Sequence, residues 1–135
     1  MTTIATSATT AKDSFLRFAL RLDAVCSGVM GVVGIALAPT LARWSGTTTA
    51  FEYALSGFFV VFGLTVFGLS MRKAVRETGI VIAIGNVAYS VATVVFVLSG
   101  VMPLTTVGIV LTLATGVYTL VVADLQYLGV RRMRP

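Results

Sequence analysis

Four long apolar runs, separated by short polar or charged segments, dominate the hydrophobic pattern of the chain. They lie at about residues 18–38, 51–71, 79–99 and 103–127. Each is close to the ~20 residues that an α-helix needs to cross a bilayer. Membrane strands would instead alternate apolar and polar residues over about 10 positions. We therefore expect an all-α fold, an antiparallel bundle of four transmembrane helices that occupies residues 15–130.

The segments around these runs are polar and short. Residues 1–14 are rich in Thr without any periodicity, which predicts a disordered cytoplasmic leader. Residues 131–135 predict a basic cytoplasmic tail. Pro39 and Gly46 indicate a loop after the first run, and Pro103 suits the first turn of the last helix.

Composition agrees with a chain that faces lipid. The hydrophobic fraction is 57% and the charged fraction 11%, whereas a soluble domain is about 25% charged. No Asp, Glu, Lys or Arg lies between Gly79 and Asp124. The net charge of +5 does not predict nucleic-acid binding, because the basic residues flank the apolar runs instead of covering one face. We expect the lipid bilayer as the partner and no nucleic acid.

The distribution of Lys and Arg predicts the orientation of the chain in the membrane. Arg43 alone lies in the loops on one side, and the other basic residues lie on the opposite side. The positive-inside rule then places both termini and the middle loop in the cytoplasm. These topology-setting residues are Lys12, Arg17, Arg21, Arg72, Lys73, Arg76, Arg131, Arg132 and Arg134.

The first run could instead be a cleaved signal peptide, since Ala36 and Ala38 form an A-x-A pattern. Pro39 would then follow the cut, where its rigid ring suits a protease poorly. The run is also longer than a typical signal core. We expect it to be retained as a transmembrane helix.

Asp23 raises a different question, because its short side chain cannot reach the membrane surface. Projection at 100° per residue places it on a narrow stripe with Ser27, Gly31, Gly34 and Ala38. Such small-residue seams allow close packing of helices in lipid. We therefore predict that this seam faces other helices and that Asp23 has a hydrogen-bonding partner.

Projection of the other spans yields candidate partners at a similar depth. Asn86 lies on the small and polar face of the third span, and Gln126 on that of the fourth. With Asp23 and Asp124 they make a candidate intramembrane polar cluster. Asn86 is the first choice as the partner of Asp23, with Gln126 or Arg21 of a neighbouring chain next. Asp124 projects away from the others and could sit at the interface instead.

Three interpretations of this cluster stay open. It can hold helices together, form a proton-linked or ligand-binding site, or contact another protein. Catalysis is not expected: the chain has no His, a single Cys26, and no nucleotide-binding or nucleophile motif. We predict no catalytic residues, no metal and no cofactor.

Three segments carry a resemblance to a known group of proteins. They are "LRLDAVCSGVMGVVGIALAPTLARWSG", "GNVAYSVATVVFVLSG" and "ADLQYLGVRR". The chain resembles a group of small uncharacterised bacterial integral membrane proteins with four spans, an L-R-L-D opening and an acidic-x-Q-Y-x-G-x-R-R ending. The resemblance implies a multi-pass protein of the bacterial cytoplasmic (inner) membrane and implies no activity. Small multidrug-resistance exporters are similar in length and span number and have an acidic residue in their first span, but their glycine and tryptophan pattern in the later spans is missing here, so this similarity is architectural only.

The expected role follows from association in the membrane. We expect an accessory or scaffold subunit of a membrane complex, or a small homo-oligomer. The alternative is a small transporter or channel with a polar site around Asp23 and Asn86, whose small-molecule substrate the sequence does not identify.

Overall fold

The computed structural model describes residues 2–133, with side chains from residue 13 onward. Within this part of the chain there are five helices and no strand, which confirms the all-α prediction. The helices are α1 (Thr2–Ala36), α2 (Ala38–Ser45), α3 (Thr49–Leu69), α4 (Val75–Ser99) and α5 (Thr106–Arg132).

Four of these helices are long and apolar enough to cross a membrane. The candidate spans are Asp13–Ala36, Thr49–Leu69, Val75–Ser99 and Thr106–Arg132. Their number and order match the predicted bundle, and the chain is a multi-pass membrane protein.

The connection after the first span is helical, where the sequence predicted a loop. The first helix ends at Ala36, and after Leu37 the short helix α2 begins at Ala38, with Pro39 in its first turn. A proline in the first turn has no intrahelical hydrogen bond to lose, so it starts a helix as readily as it ends one. Gly46 closes α2 with a φ of 77°.

Three other boundaries differ from the sequence prediction. Helix α1 begins at Thr2, so the leader expected to be disordered is helical over its described residues. The last helix begins at Thr106 and not at Pro103, because the Thr105 hydroxyl caps it by accepting a hydrogen bond from Gly108 N at 3.1 Å. Helix α5 continues to Arg132, so the predicted tail starts inside a helix; Arg134 lies outside the described residues.

The helices pack as two antiparallel pairs. Helix α1 lies along α3, α4 lies along α5, and α1 also contacts α5. Helices α3 and α4 touch at few positions. One end of the bundle, which we call the basic end, holds Arg17, the α3–α4 connection and the last turns of α5. The other, the α2 end, holds α2 and the α4–α5 connection.

The basic end carries the apolar core. Leu16 and Leu20 have no exposed surface and pack in one cluster with Val66, Val75 and Val130. Leu16 fits against two glycines: a Cβ on Gly129 would lie 2.8 Å from its Cα, and one on Gly79 would lie 2.7 Å from its Cδ1. These close contacts bring α1, α4 and α5 together at this end.

The predicted small-residue seam lies in the contact between helices. Ser27, Gly31, Gly34 and Ala38 are all buried, although Ala38 belongs to α2. A Cβ on Gly31 would lie 2.6 Å from the backbone oxygen of Ser56 in α3. Any larger residue at this position would push α1 away from α3.

The α2 end is held by contacts between α2 and α5. Thr105 N donates to Ser45 O at 3.0 Å, and the Thr105 hydroxyl donates to Trp44 O. These hydrogen bonds therefore fix the last turn of α2 to the start of α5.

Candidate functional site

Asp23 is the centre of a buried hydrogen-bond network. Its Oδ1 accepts hydrogen bonds from Ser27 Oγ at 3.0 Å and from the Tyr118 hydroxyl at 2.9 Å. Its Oδ2 accepts from Asn86 Nδ2 at 2.8 Å and from Gln126 Nε2 at 3.0 Å. Asn86 Nδ2 also donates to Gln126 Oε1 at 3.1 Å. The network joins α1, α4 and α5.

The number and type of partners suit a carboxylate. Asp23 has no exposed surface, and burial of a carboxyl group is costly unless it is hydrogen-bonded. An ionised carboxylate can only accept hydrogen bonds, and here four donors converge on its two oxygens. Among the described side chains Asp23 forms no ion pair. Hydrogen bonds alone therefore compensate its burial.

Three of the four residues predicted for the polar cluster come together. Asp23, Asn86 and Gln126 are in direct contact, whereas Asp124 is exposed and lies outside the network. Two residues along a helix differ by about 200°, so Asp124 and Gln126 face nearly opposite directions from α5. The inclusion of Asp124 in the cluster is wrong.

The two arginines near Asp23 contact the end of α3 and not the carboxylate. Arg17 Nη1 donates to Ser70 O at 2.6 Å, and Arg21 Nε donates to Ser70 Oγ at 3.3 Å. Arg17 also forms a salt bridge of 3.2 Å with Asp13. Cations at a helix C-terminus satisfy free carbonyl groups and the helix dipole. These arginines therefore stabilise the α1–α3 contact at the basic end.

A cavity of about 590 Å³ lies between the helices at the α2 end. Its walls are mainly aliphatic and aromatic, and residues of all five helices line it. Tyr118 belongs both to the cavity lining and to the network around Asp23. The phenol therefore connects the cavity with the buried carboxylate.

Aromatic pairs join α3 and α4 beside this cavity. Phe51 stacks on Phe96 with ring centroids 5.5 Å apart, and Phe59 meets Tyr89 edge to face at 5.6 Å. The Tyr89 hydroxyl lies 3.1 Å from Thr115 Oγ1 of α5. Few other contacts join α3 and α4, so these rings form much of the wall between the two helix pairs.

Glu52 is an acidic group in the lining of the cavity. It lies in the first turn of α3, is 8% exposed, and its Oε1 accepts a hydrogen bond from Thr47 Oγ1 at 2.7 Å. Among the described residues that line the cavity it is the one charged side chain.

Sequence reasoning missed both Tyr118 and Glu52. Glu52 lies inside the predicted second run, where any ionisable residue is a candidate functional group. Tyr118 lies within the fourth run, and a phenol hydroxyl in lipid needs a hydrogen-bond partner. The signal was present for both residues, but projection onto small-residue faces does not detect it.

Comparison with known proteins adds no relative from which a role could be taken. No protein-family model matches the chain, and no curated protein or solved structure matches it.

Proposed function

We propose that this chain is a small transporter of the bacterial cytoplasmic membrane, which binds a small molecule in the cavity at its α2 end. The observation that carries the proposal is the position of Tyr118, which lines the cavity and donates a hydrogen bond to the buried Asp23. A cavity of about 590 Å³ is within the range of small-molecule sites. Ionisable residues inside membrane spans commonly belong to transport pathways.

The direction of access follows from the charge distribution. The basic residues of the chain lie mainly at the basic end, and the positive-inside rule assigns that end to the cytoplasm. The cavity then lies in the outer half of the membrane, and the apolar core around Leu16 and Leu20 closes the cytoplasmic side. This is the arrangement of an outward-facing state in alternating access.

Asp23 gives this arrangement a means of coupling to protons. Protonation changes one carboxyl oxygen into a donor, so that the four present donors no longer all find acceptors. The contacts among α1, α4 and α5 would weaken at the basic end. A movement of Tyr118 by an occupant of the cavity would act on the same carboxylate from the other side.

The test begins with a small-molecule screen by thermal stability of the purified protein in mild detergent. A genuine cavity ligand stabilises the wild type and the control Ala54→Phe, but not Ala92→Phe, which adds a ring to the cavity wall. Ala54 is exposed on α3 and does not line the cavity. Proteoliposomes that contain the protein should then take up the ligand when a pH gradient is imposed across their membrane. Asp23→Asn should abolish this uptake. Ligand binding without uptake in the wild type would contradict transport.

Orientation is tested separately by reporter fusions. A reporter active only outside the cytoplasm should work after Trp44 and fail after Pro135. Activity after Pro135 would reverse the proposed direction of access.

The second candidate is the association role, as a scaffold subunit or homo-oligomer. A groove of about 420 Å³ on the outer face of α1 and α3, around Gly28 and Gly63, supports it. The walls of the groove are mainly Val, Leu and Phe side chains, and such an apolar groove can receive a helix of another chain by van der Waals packing. Purification from the native host in mild detergent, followed by mass spectrometry, should then recover a stoichiometric partner. Recovery of the chain alone as a monomer would contradict this role.

A further inference from the structure

We propose that the cavity accepts an organic cation with an apolar body, and that Glu52 is the group that pairs with its positive charge. The inference rests on the proposed function, since it names the class of molecule that the cavity binds. It is argued from the charges and rings that surround the cavity.

The first observation is the incomplete pairing of Glu52. One of its oxygens accepts the hydrogen bond from Thr47, and Oε2 has no hydrogen-bond partner among the described residues. No ion pair satisfies it in this part of the chain. The first turn of α3 favours a negative charge through the helix dipole, which accounts for its position but leaves Oε2 free. Oε2 is not fully buried, so a cationic ligand in the cavity would have access to it.

The second observation is the sign of the charged groups in and near the cavity. The described lining residues include no Lys or Arg. Asp23 adds a further negative group beneath Tyr118. Gly63 lies against the backbone oxygen of Ala24, so the level of Asp23 is about three turns, or roughly 16 Å, along α3 from Glu52. Both ends of the cavity therefore favour a cation over an anion. The apolar walls lower the local dielectric constant, which strengthens this electrostatic preference.

The third observation is the aromatic lining. Phe51, Phe59, Phe96, Tyr89 and Tyr118 all border the cavity. Aromatic faces attract cations through the quadrupole of the ring, most strongly for cations that are poorly hydrated. The aliphatic wall, which includes Val29, Met30 and Leu111, suits an apolar body. A hydrophobic organic cation matches both surfaces, whereas a hydrated metal ion matches neither.

The test compares two hydrophobic ions of closely similar shape and opposite charge, tetraphenylphosphonium and tetraphenylborate. Equilibrium binding is measured with the full chain purified in detergent, by calorimetry or with radiolabelled probe. We expect the wild type to bind the phosphonium and not the borate. Glu52→Gln should weaken phosphonium binding by about tenfold or more, as expected for loss of a charge-assisted contact.

Matched controls separate the charge of Glu52 from general effects. Asp124→Asn removes the same charge from an exposed position on α5 and should change the affinity by less than about twofold. Phe96→Leu should weaken phosphonium binding, while Phe58→Leu, an exposed ring outside the cavity, should not. If Glu52→Gln does not fold, the Phe96 and Phe58 pair still tests the inference.

The outcomes distinguish this inference from the proposed function. Equal binding of both ions, lost in Ala92→Phe and retained in Ala54→Phe, would overturn the choice of a cation and leave a functional cavity. Phosphonium binding that Glu52→Gln does not weaken would also overturn it. Absence of binding of either ion by folded wild type would overturn the cation inference, while the ligand screen still decides the proposed function. A lipid that co-purifies in the cavity and is lost only in Ala92→Phe would identify an acyl chain as the occupant and would overturn the cation inference.

Discussion

At the basic end Leu16 and Leu20 are fully buried, whereas at the α2 end the same four long helices stand apart around about 590 Å³ of space. Small residues make the difference at the basic end, since Gly79 and Gly129 allow three helices to meet on one leucine. At the α2 end, large rings bridge α3 and α4 without filling the interior. In this state the basic end is closed by packed side chains, and the α2 end has room for a ligand.

The polar groups follow the same division. Around Asp23 each carboxyl oxygen has two donors, but Glu52 at the α2 end has one hydrogen bond. A carboxyl group whose hydrogen bonds are all made within the protein holds its neighbouring helices in one arrangement. A carboxyl group with a free hydrogen-bonding position can also bind a ligand. The comparison therefore predicts stability effects at the basic end and binding effects at the α2 end.

The largest expected effect comes from truncating Leu16 at the basic end, and Leu55 at the α2 end is its matched comparison. Leu16→Ala should lower the free energy of unfolding by about 2–5 kcal/mol, because the side chain is fully buried among α1, α4 and α5. Leu55→Ala, which trims the cavity wall, should cost less than about 1 kcal/mol. Unfolding in graded sodium dodecyl sulfate measures both. Equal losses would mean that the two ends are packed alike.

Asp23 provides the next test. Asp23→Leu should lower stability by about 3 kcal/mol, because buried donors that lose their acceptor each cost about 1–3 kcal/mol. Asp23→Asn should be milder for folding, since the amides of Asn86 and Gln126 can rotate to present oxygens. The same unfolding assay applies.

A double variant then measures the coupling of the two residues. Adding Asn86→Leu to Asp23→Leu should recover part of the loss, since it removes one unpaired donor. Simple addition of the two single effects would show that the contact between Asp23 and Asn86 carries no energy.

The seam between α1 and α3 should show a smaller effect. Gly31→Leu should cost about 1–3 kcal/mol through overpacking against the Ser56 backbone. Val33→Leu, on an exposed face of α1, should change little. Melting temperatures in detergent measure both variants. A Gly31→Leu protein as stable as Val33→Leu would mean that the helices are not held this close.

The smallest expected effect concerns the first turn of α3 at the α2 end. Thr48 accepts a hydrogen bond from Phe51 N at 3.0 Å, and Thr48→Ala should cost about 1 kcal/mol. Thr49→Ala, its exposed neighbour, is the control. Hydrogen exchange of the first amides of α3 should rise in Thr48→Ala alone. Unchanged exchange would show that α2 and α5, and not the cap, hold this turn.

The number of membrane spans could be predicted from the sequence, because a segment that crosses lipid has to be a long apolar helix. The count of four followed from that requirement alone. The depth of Asp23 and Asn86 could also be inferred, since topology and the rise per residue set it. Helix α2 could not, because the same Pro39 suits a loop or a first turn. Asp124 projected away from the others already in the sequence, and the structure has it exposed on α5, so its similar depth was not enough to bring it into the cluster. The cavity escaped prediction because it depends on how far α3 and α4 diverge, which no local pattern encodes.

The partners of Asp23 also set an order for biosynthesis. Ser27 leaves the ribosome just after Asp23, but Asn86, Tyr118 and Gln126 follow 63, 95 and 103 residues later. The first span therefore enters the membrane with its carboxyl group largely unpaired, and an unpaired ionisable group inside a span is costly in lipid. Until α4 and α5 arrive, Asp23 lacks three of its four side-chain hydrogen-bond partners. Arrival of the last helix completes the network.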